Sequence, residues 1–210
     1  AWRVLSTDDR LAGFALLPRD EAEDLFLTLS ARDQAQLLAV MAAAERRSWM
    51  RLLPPDDAAD VVQESAPAER PNLLALLDET TRKEVNALLA YAEDEAGGLM
   101  NPRYARVRPD MTVDEAVSYL RRQARARVET IYVVYVLDEQ QRLLGVASFR
   151  ELFAAQPMTK VRDVMRTELV TVGEQQDQET VSRLFAQHDL PAIPVVDPAG
   201  RMKGIVTVAD

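Results

Sequence analysis

Three carboxylates crowd the segment LPPDDAADVV, residues 53–62: Asp56, Asp57 and Asp60. Pro54 and Pro55 ahead of them and the apolar pair behind them read as the first two turns of a short helix. Asp56 and Asp60 stand four apart and share a helical face, where like charges cost an isolated helix roughly 0.2–0.5 kcal/mol. Two chemistries suit the pattern. Acids in a first turn favour the positive end of the helix dipole, at about 0.3–1 kcal/mol each; this explains Asp56 and Asp57 better than the deeper Asp60. The other is one half of a cation-binding site. The residues alone leave both open.

Composition narrows the classes. The chain has 210 residues, a net charge of −9, no cysteine and a single histidine, His188. Disulfide scaffolds, thiolate metal sites and cysteine nucleophiles are excluded, and His-rich metal sites with them. No phosphate loop or nucleophile elbow occurs, so an enzyme is the least favoured class. Apolar runs such as IYVVYVL at 131–137 are far short of the ~18 residues a membrane helix needs. Residues 1–98 hold 19 acids against 10 bases, whereas residues 99–210 hold 15 of each. The acidic first half disfavours nucleic acid or an anionic membrane as its partner and suits a cation or a basic surface.

The first half repeats every twelve residues. Leu17, Leu29, Met41, Leu53, Ser65 and Leu77 open the units; eight residues after each come Leu25, Leu37, Trp49, Val61, Leu73 and Val85. Each unit reads as a turn followed by about two helical turns with an apolar stripe. Helices this short are marginal alone, so they must stack into a superhelix. The second half switches to strand signals and is duplicated. DEQQRLLGVASFRE (138–151) matches DPAGRMKGIVTVAD (197–210) at an offset of 59; residues 99–116 match 164–181 at an offset of 65. Each copy predicts strand, helix, strand, turn, strand and the start of a helix, with YVVYV and IPVVD as buried strands. The second copy stops at Asp210, where its closing helix is expected to begin, as in a fragment of a longer chain.

The duplicated motif, Gly145-Val-Ala-Ser148-Phe-Arg-Glu151 and Gly204-Ile-Val-Thr207-Val-Ala-Asp210, resembles that of cystathionine-β-synthase (CBS) domains. Residues 93–117 and 129–155, together with the acidic helical repeat, resemble the MgtE magnesium channel and transporter family. The resemblance implies an all-α superhelical N domain of short helices (1–96) followed by an α/β tandem CBS pair, CBS domain 1 at 97–155 and CBS domain 2 at 156–210. It also implies a homodimer through the CBS domains and a transmembrane pore domain covalently continuous with this region. The function expected is magnesium sensing on the cytoplasmic side of the cell membrane: Mg²⁺ shared between N and CBS domains favours a compact closed state, and low Mg²⁺ releases it and opens the pore.

Carried over residue by residue, the implied ligands are Asp56 and Asp60, with Asp24 where the family has a Glu; then Glu179, Asp189 and Asp210, and the backbone carbonyls near Gly98 and Ala186. Mg²⁺ is a hard cation held by one or two carboxylates with waters completing its shell, which accords with the absence of any compact metal motif. Without a cation, two such charges about 4 Å apart repel by on the order of 1 kcal/mol in water and by more in a cleft. For Asp210 the capping of a following helix stays open as well, and Glu179, Asp189 and His188 also suit ordinary solvated positions. The family's adenine-stacking aromatic is Val133 here, its ribose-binding Asp is Glu151, and its aromatic after Asp189 is Leu190. These departures lead to the expectation that ATP binding is weak or absent. A nucleotide-gated CBS module of another transporter or enzyme, and a helical adaptor with a peptide groove, are the rival readings.

Overall fold

The computed structural model describes residues 4–124 and 132–208, and the chain divides into two compact units, Ala1–Leu89 and Ala90–Asp210. The described part of the first unit is built from helices alone: α1 (Thr7–Ala15), α2 (Arg19–Thr28), α3 (Ala31–Val40), α4 (Ala43–Met50), α5 (Pro55–Glu64), α6 (Arg70–Leu76) and α7 (Glu79–Leu88). Helices α2 to α5 start at intervals of twelve, each two residues after an opening position of the repeat. Those positions also end the helices. Leu29, Met41, Ser65 and Leu77 are C-caps whose N–H groups bond back to the carbonyls of Phe26, Leu38, Val62 and Leu74. The spacing slips once. Helix α6 starts three residues late because Pro71, with no N–H to donate, is admitted only in a helix's first turn.

The apolar stripe is the core. Leu37, Trp49, Val61, Leu73 and Val85 are all buried, with Phe26, Leu38, Met50 and Val62 beside them. Helices pack on the next but one: α3 on α5, α5 on α7, α4 on α6. That is how short helices wound into a superhelix satisfy one another. Two arginines tie successive turns together. Arg46 donates to the carbonyls of Met41 and Ala39, and Arg70 repeats this two units later on Ser65 and Gln63. Both supply donors to helix C-termini whose last carbonyls have no intrahelical partner.

The second unit comprises α8 (Ala96–Leu99), then β1 (Arg106–Val107), α9 (Val113–Ala124), β2 (Val133–Leu137), β3 (Leu143–Ser148) and α10 (Phe149–Ala154). After α11 (Val161–Val164), the second copy supplies β4 (Val172–Gly173), α12 (Gln178–His188), β5 (Ala192–Val196) and β6 (Met202–Thr207). The sheets are identical in plan. A short strand runs parallel to the central one, which pairs antiparallel with the third, in the orders β1-β2-β3 and β4-β5-β6. The central strand of the first sheet begins at Val133 and leaves Tyr132 exposed, one residue later than YVVYV suggests.

The duplication's two offsets have a structural meaning. Asn101 bridges Ile205 of the second copy, and its equivalent Arg166 bridges Val146 of the first. The segment leading into each copy therefore lies along the last strand of the other. Gly204 and Gly145 permit this approach: a Cβ on either would stand 2.8 Å or less from a neighbouring backbone oxygen or methionine side chain. Val134 and Val136 face the helices of their own copy, with Ala116, Leu120 and Leu152. Tyr135 and Leu137 face the other way and cluster with Tyr104, Ala192, Met202 and Ile205, which joins the two sheets.

The two hairpin turns meet. Asp138 accepts the N–H groups of Gln140 and Arg142; Asp197 accepts those of Ala199 and Arg201. Leu143 N–H then donates to Gly200 O at 3.1 Å, and Met202 N–H to Gln141 O at 3.0 Å. The turns require a left-handed residue. The second copy uses Gly200 at φ 78°, the first uses Gln141 at φ 65°. A side chain there costs about 1–2 kcal/mol, and glycine's extra freedom in the unfolded chain returns about 0.5–1 kcal/mol. Gln141→Gly is therefore expected to raise stability by about 0.5–1 kcal/mol, read as a higher urea midpoint at unchanged slope.

Candidate functional site

Asp56 sits in the first turn of α5, the helix that packs on both α3 and α7, and is only 8% exposed. Asp60, one turn on, is exposed, and Asp57 is half-buried. Helix α5 has no side-chain N-cap; Pro54 and Pro55 start it, and the acids follow at its positive end. The pair Asp56 and Asp60 thus spans from the packed face of α5 to its solvent edge. Hard oxygen donors one turn apart fit Mg²⁺, which needs few protein ligands. Asp24 is exposed on α2.

In the second unit, Glu179 is exposed in the first turn of α12, behind the N-cap Asp177. Asp189 ends the same helix in the left-handed conformation, φ 47° and ψ 48°, with its N–H on Phe185 O. Ten residues of helix separate the two acids by about 15 Å along the axis, so they cannot share one ion. Ala186, by contrast, lies in the last turn beside Asp189, where helix carbonyls point outward without intrahelical partners. A carbonyl and a carboxylate at the negative end of a helix suit a cation. His188 is exposed. Gly98 lies in α8, and a Cβ on it would stand 2.3 Å from Ala92 O, so close packing alone accounts for the glycine. Asp210 lies outside the described residues. Among the described residues, no three acidic or histidine side chains converge as a metal cluster, and no helix is long and apolar enough to cross a membrane.

Sequence reasoning missed one polar anchor. The Tyr91 hydroxyl donates to Glu174 at 2.7 Å, while Ala96 and Gly97 N–H groups bond to Gln176 and Glu174 carbonyls, and Gln178 N–H to Asp94 O. The stretch YAEDEAGGL is thereby latched to the second CBS copy. Burial and the Glu174 carboxylate push the Tyr91 hydroxyl up to about 12, so it remains a donor at any physiological pH. The signal was an isolated Tyr beside an acidic run, which no local rule connects to Glu174, 83 residues away.

Among the described residues of this unit, four carboxylates are held below their ordinary range by N–H groups they accept. They are Glu115 by Thr112, Glu151 by Ser148, Asp177 by Thr180, and Asp197 by Arg201 and Ala199. Glu151 closes a full capping box on α10 and lies 3.3 Å from Arg166. Because the folded-state values are depressed, this stabilisation is complete above the ordinary values of 4.5 for Glu and 3.8 for Asp and is lost as pH falls through the lower folded values. Circular dichroism at stepped pH should show the second unit losing stability only below about pH 4.5, and Glu151→Gln should flatten that decline.

Comparison with known proteins places the chain. The MgtE intracellular N domain matches residues 1–94, and the CBS domain matches residues 96–157 and 161–210. The magnesium transporter MgtE of Thermus thermophilus is 53% identical over 134 residues, which is 64% of this chain and 30% of that protein. That of Bacillus subtilis is 39% identical over the same shares. The matched region is thus under a third of the length of these curated relatives. A crystal structure of the cytosolic domain of the Mg²⁺ channel MgtE in complex with ATP superposes with a TM-score of 0.91 at 44% identity, covering 99% of this chain and 85% of that one.

That complex overturns the expectation of weak or absent ATP binding. The expectation equated loss of an aromatic face at Val133 and Leu190, and a longer acid at Glu151, with loss of the site. An aliphatic side chain still packs by dispersion on a purine face, and nucleotide sites are largely apolar with few fixed polar groups. The helical first unit, the paired CBS copies with their exchanged leading segments, and the extent of the superposition agree: the chain belongs to the MgtE family of magnesium transporters and channels, a family of transport proteins and not of enzymes, and corresponds to its cytosolic domain.

Proposed function

We propose that this region senses Mg²⁺ for a membrane magnesium channel or transporter. The carrying observation is the superposition of 99% of the chain on the cytosolic domain of a Mg²⁺ channel. In this reading, Asp56 and Asp60 with Asp24 on the first unit, and Glu179, Asp189 and Asp210 with the Gly98 and Ala186 carbonyls on the second, provide oxygen ligands for several ions. Carboxylates that repel one another without cation are drawn together with it, so a compact state gains a differential affinity for each ion bound. A ligand shifts a two-state equilibrium only by that difference; several weak sites acting on one equilibrium give a steep response. The compact state closes the pore and the released state opens it. A homodimer through the CBS domains and a transmembrane pore domain complete the assembly.

We further propose that the CBS pair binds ATP, on the strength of the ATP complex of the similar domain. The test is a Mg²⁺ titration of the whole chain, read by small-angle scattering and by limited proteolysis, with and without ATP. Compaction and protease protection should rise at millimolar Mg²⁺. No response up to tens of millimolar would defeat the sensing role, and absence of ATP binding in calorimetry would defeat the nucleotide reading separately.

A further inference from the structure

The first CBS copy has a cavity lined by two arginines and a glutamine that its duplicate lacks. It lies at the end of the sheet opposite Val133 and Ser148, which pair with each other at the other end. There β1 and β2 run out in parallel at Val107 and Leu137. The cavity has a volume of about 150 Å³ and is lined by Arg106, Arg108 and Gln141 together with Met111, Tyr119 and Leu137.

Arg108 is half-buried and donates through Nη1 to the carbonyls of Leu137 and Asp138. Those bonds use one terminal nitrogen and fix the guanidinium plane; a guanidinium has five donors, so its other edge retains some. The Arg106 guanidinium carbon lies 5.9 Å from the centre of the Tyr104 ring, which braces a second cation at the rim. Gln141 keeps a side chain at φ 65°, where the duplicate has Gly200. Strain retained at a position that glycine would satisfy points to a use for the side chain.

The internal duplication serves as a control. At the offsets of 65 and 59, the positions of Arg106, Arg108 and Gln141 are Thr171, Gly173 and Gly200 in the second copy. All three polar groups are present in one copy and missing together from the other, although the backbone plan is the same. They are therefore not demanded by the fold. Two arginines and a glutamine lining a small cavity suit a tetrahedral or planar oxyanion, for which arginine supplies paired donors.

We propose that this cavity binds a small free oxyanion of phosphate size, at a site separate from that of ATP. Calorimetry of the whole chain with inorganic phosphate, in chloride-matched buffer, tests it. Wild-type protein should bind saturably. Arg106→Gln should weaken binding roughly tenfold, the loss of one charge-assisted contact, and Gln141→Gly should weaken it several-fold while raising the thermal midpoint. Saturating ATP should leave phosphate binding in place. Glycerol phosphate should bind more weakly than the free ion. The proposal is overturned by no saturable binding, by unchanged affinity in both variants, by displacement with ATP, or by tighter binding of the ester. The Gln141→Gly arm stands even if the arginine variant folds poorly, since that change relieves strain.

Discussion

Protease protection by Mg²⁺ should disappear in the double variant Asp56→Asn, Asp60→Asn, with the midpoint moved at least about tenfold upward or out of reach. Asparagine keeps the size and the hydrogen-bonding reach of aspartate but removes the charge that Mg²⁺ requires. Asp56 is nearly buried in the helix at the centre of the first unit, so a cation held there would report directly on that unit's position. The competing account is the helix dipole. Under it, Asp56→Asn and Asp57→Asn would each lower the stability of the first unit by about 0.3–1 kcal/mol and neither would touch the Mg²⁺ response. The control is thus Asp57→Asn, half-buried in the same turn, which should leave the Mg²⁺ midpoint in place. Equal midpoints in wild type and double variant would remove α5 from the sensing role.

The largest effect on stability is expected from Trp49→Ala. Trp49 is buried on α4, with ring centres 5.0 Å from Phe14 and 5.1 Å from Phe26, and Arg19 stacks 4.0 Å above it. Its removal deletes the contacts that hold α1, α2 and α4 together, along with the tilted aromatic pairs and the cation–π contact. A large-to-small change of this kind costs about 3–5 kcal/mol. In short helices that cannot persist alone, that cost falls on the whole early superhelix. Urea unfolding followed by helical circular dichroism should show an early transition of the first unit, while the β-containing second unit keeps its midpoint. A loss below about 1 kcal/mol would mean that the ring's neighbours close over the gap, contrary to the close-packed rule.

The type of one residue does not decide whether a nucleotide can bind beside it. Val133 lies on the sheet face that joins the two copies, packed on the cluster of Tyr104 and Tyr135. Its type says that an aromatic face is missing. It does not say how the surrounding apolar surface is shaped, and that shape decides whether a purine can pack. The same limit hid the Tyr91–Glu174 latch, since its partners are remote in sequence. Arg46 and Arg70 sit 24 residues apart, two periods of the repeat, and perform one task twice.

Local rules and repetition encode much of this fold. The period of twelve set where four successive helices begin and which residues face the core, because short helices pack only through a regular apolar stripe. The paired offsets of 59 and 65 anticipated two equivalent sheets, because a turn built on Asp138 or Asp197 and a glycine at Gly145 or Gly204 solve the same geometric problem twice. The rest came from contacts across the fold. Packing put Asp56 against the core and left Asp60 in solvent, although the two lie one turn apart on α5. It crossed the leading segment of each copy onto the other. It also brought Arg106, Arg108 and Gln141 around one cavity. Burial, exchange and convergence depend on what each residue meets across the fold, and pairwise distance in space is not a property that spacing along the chain carries.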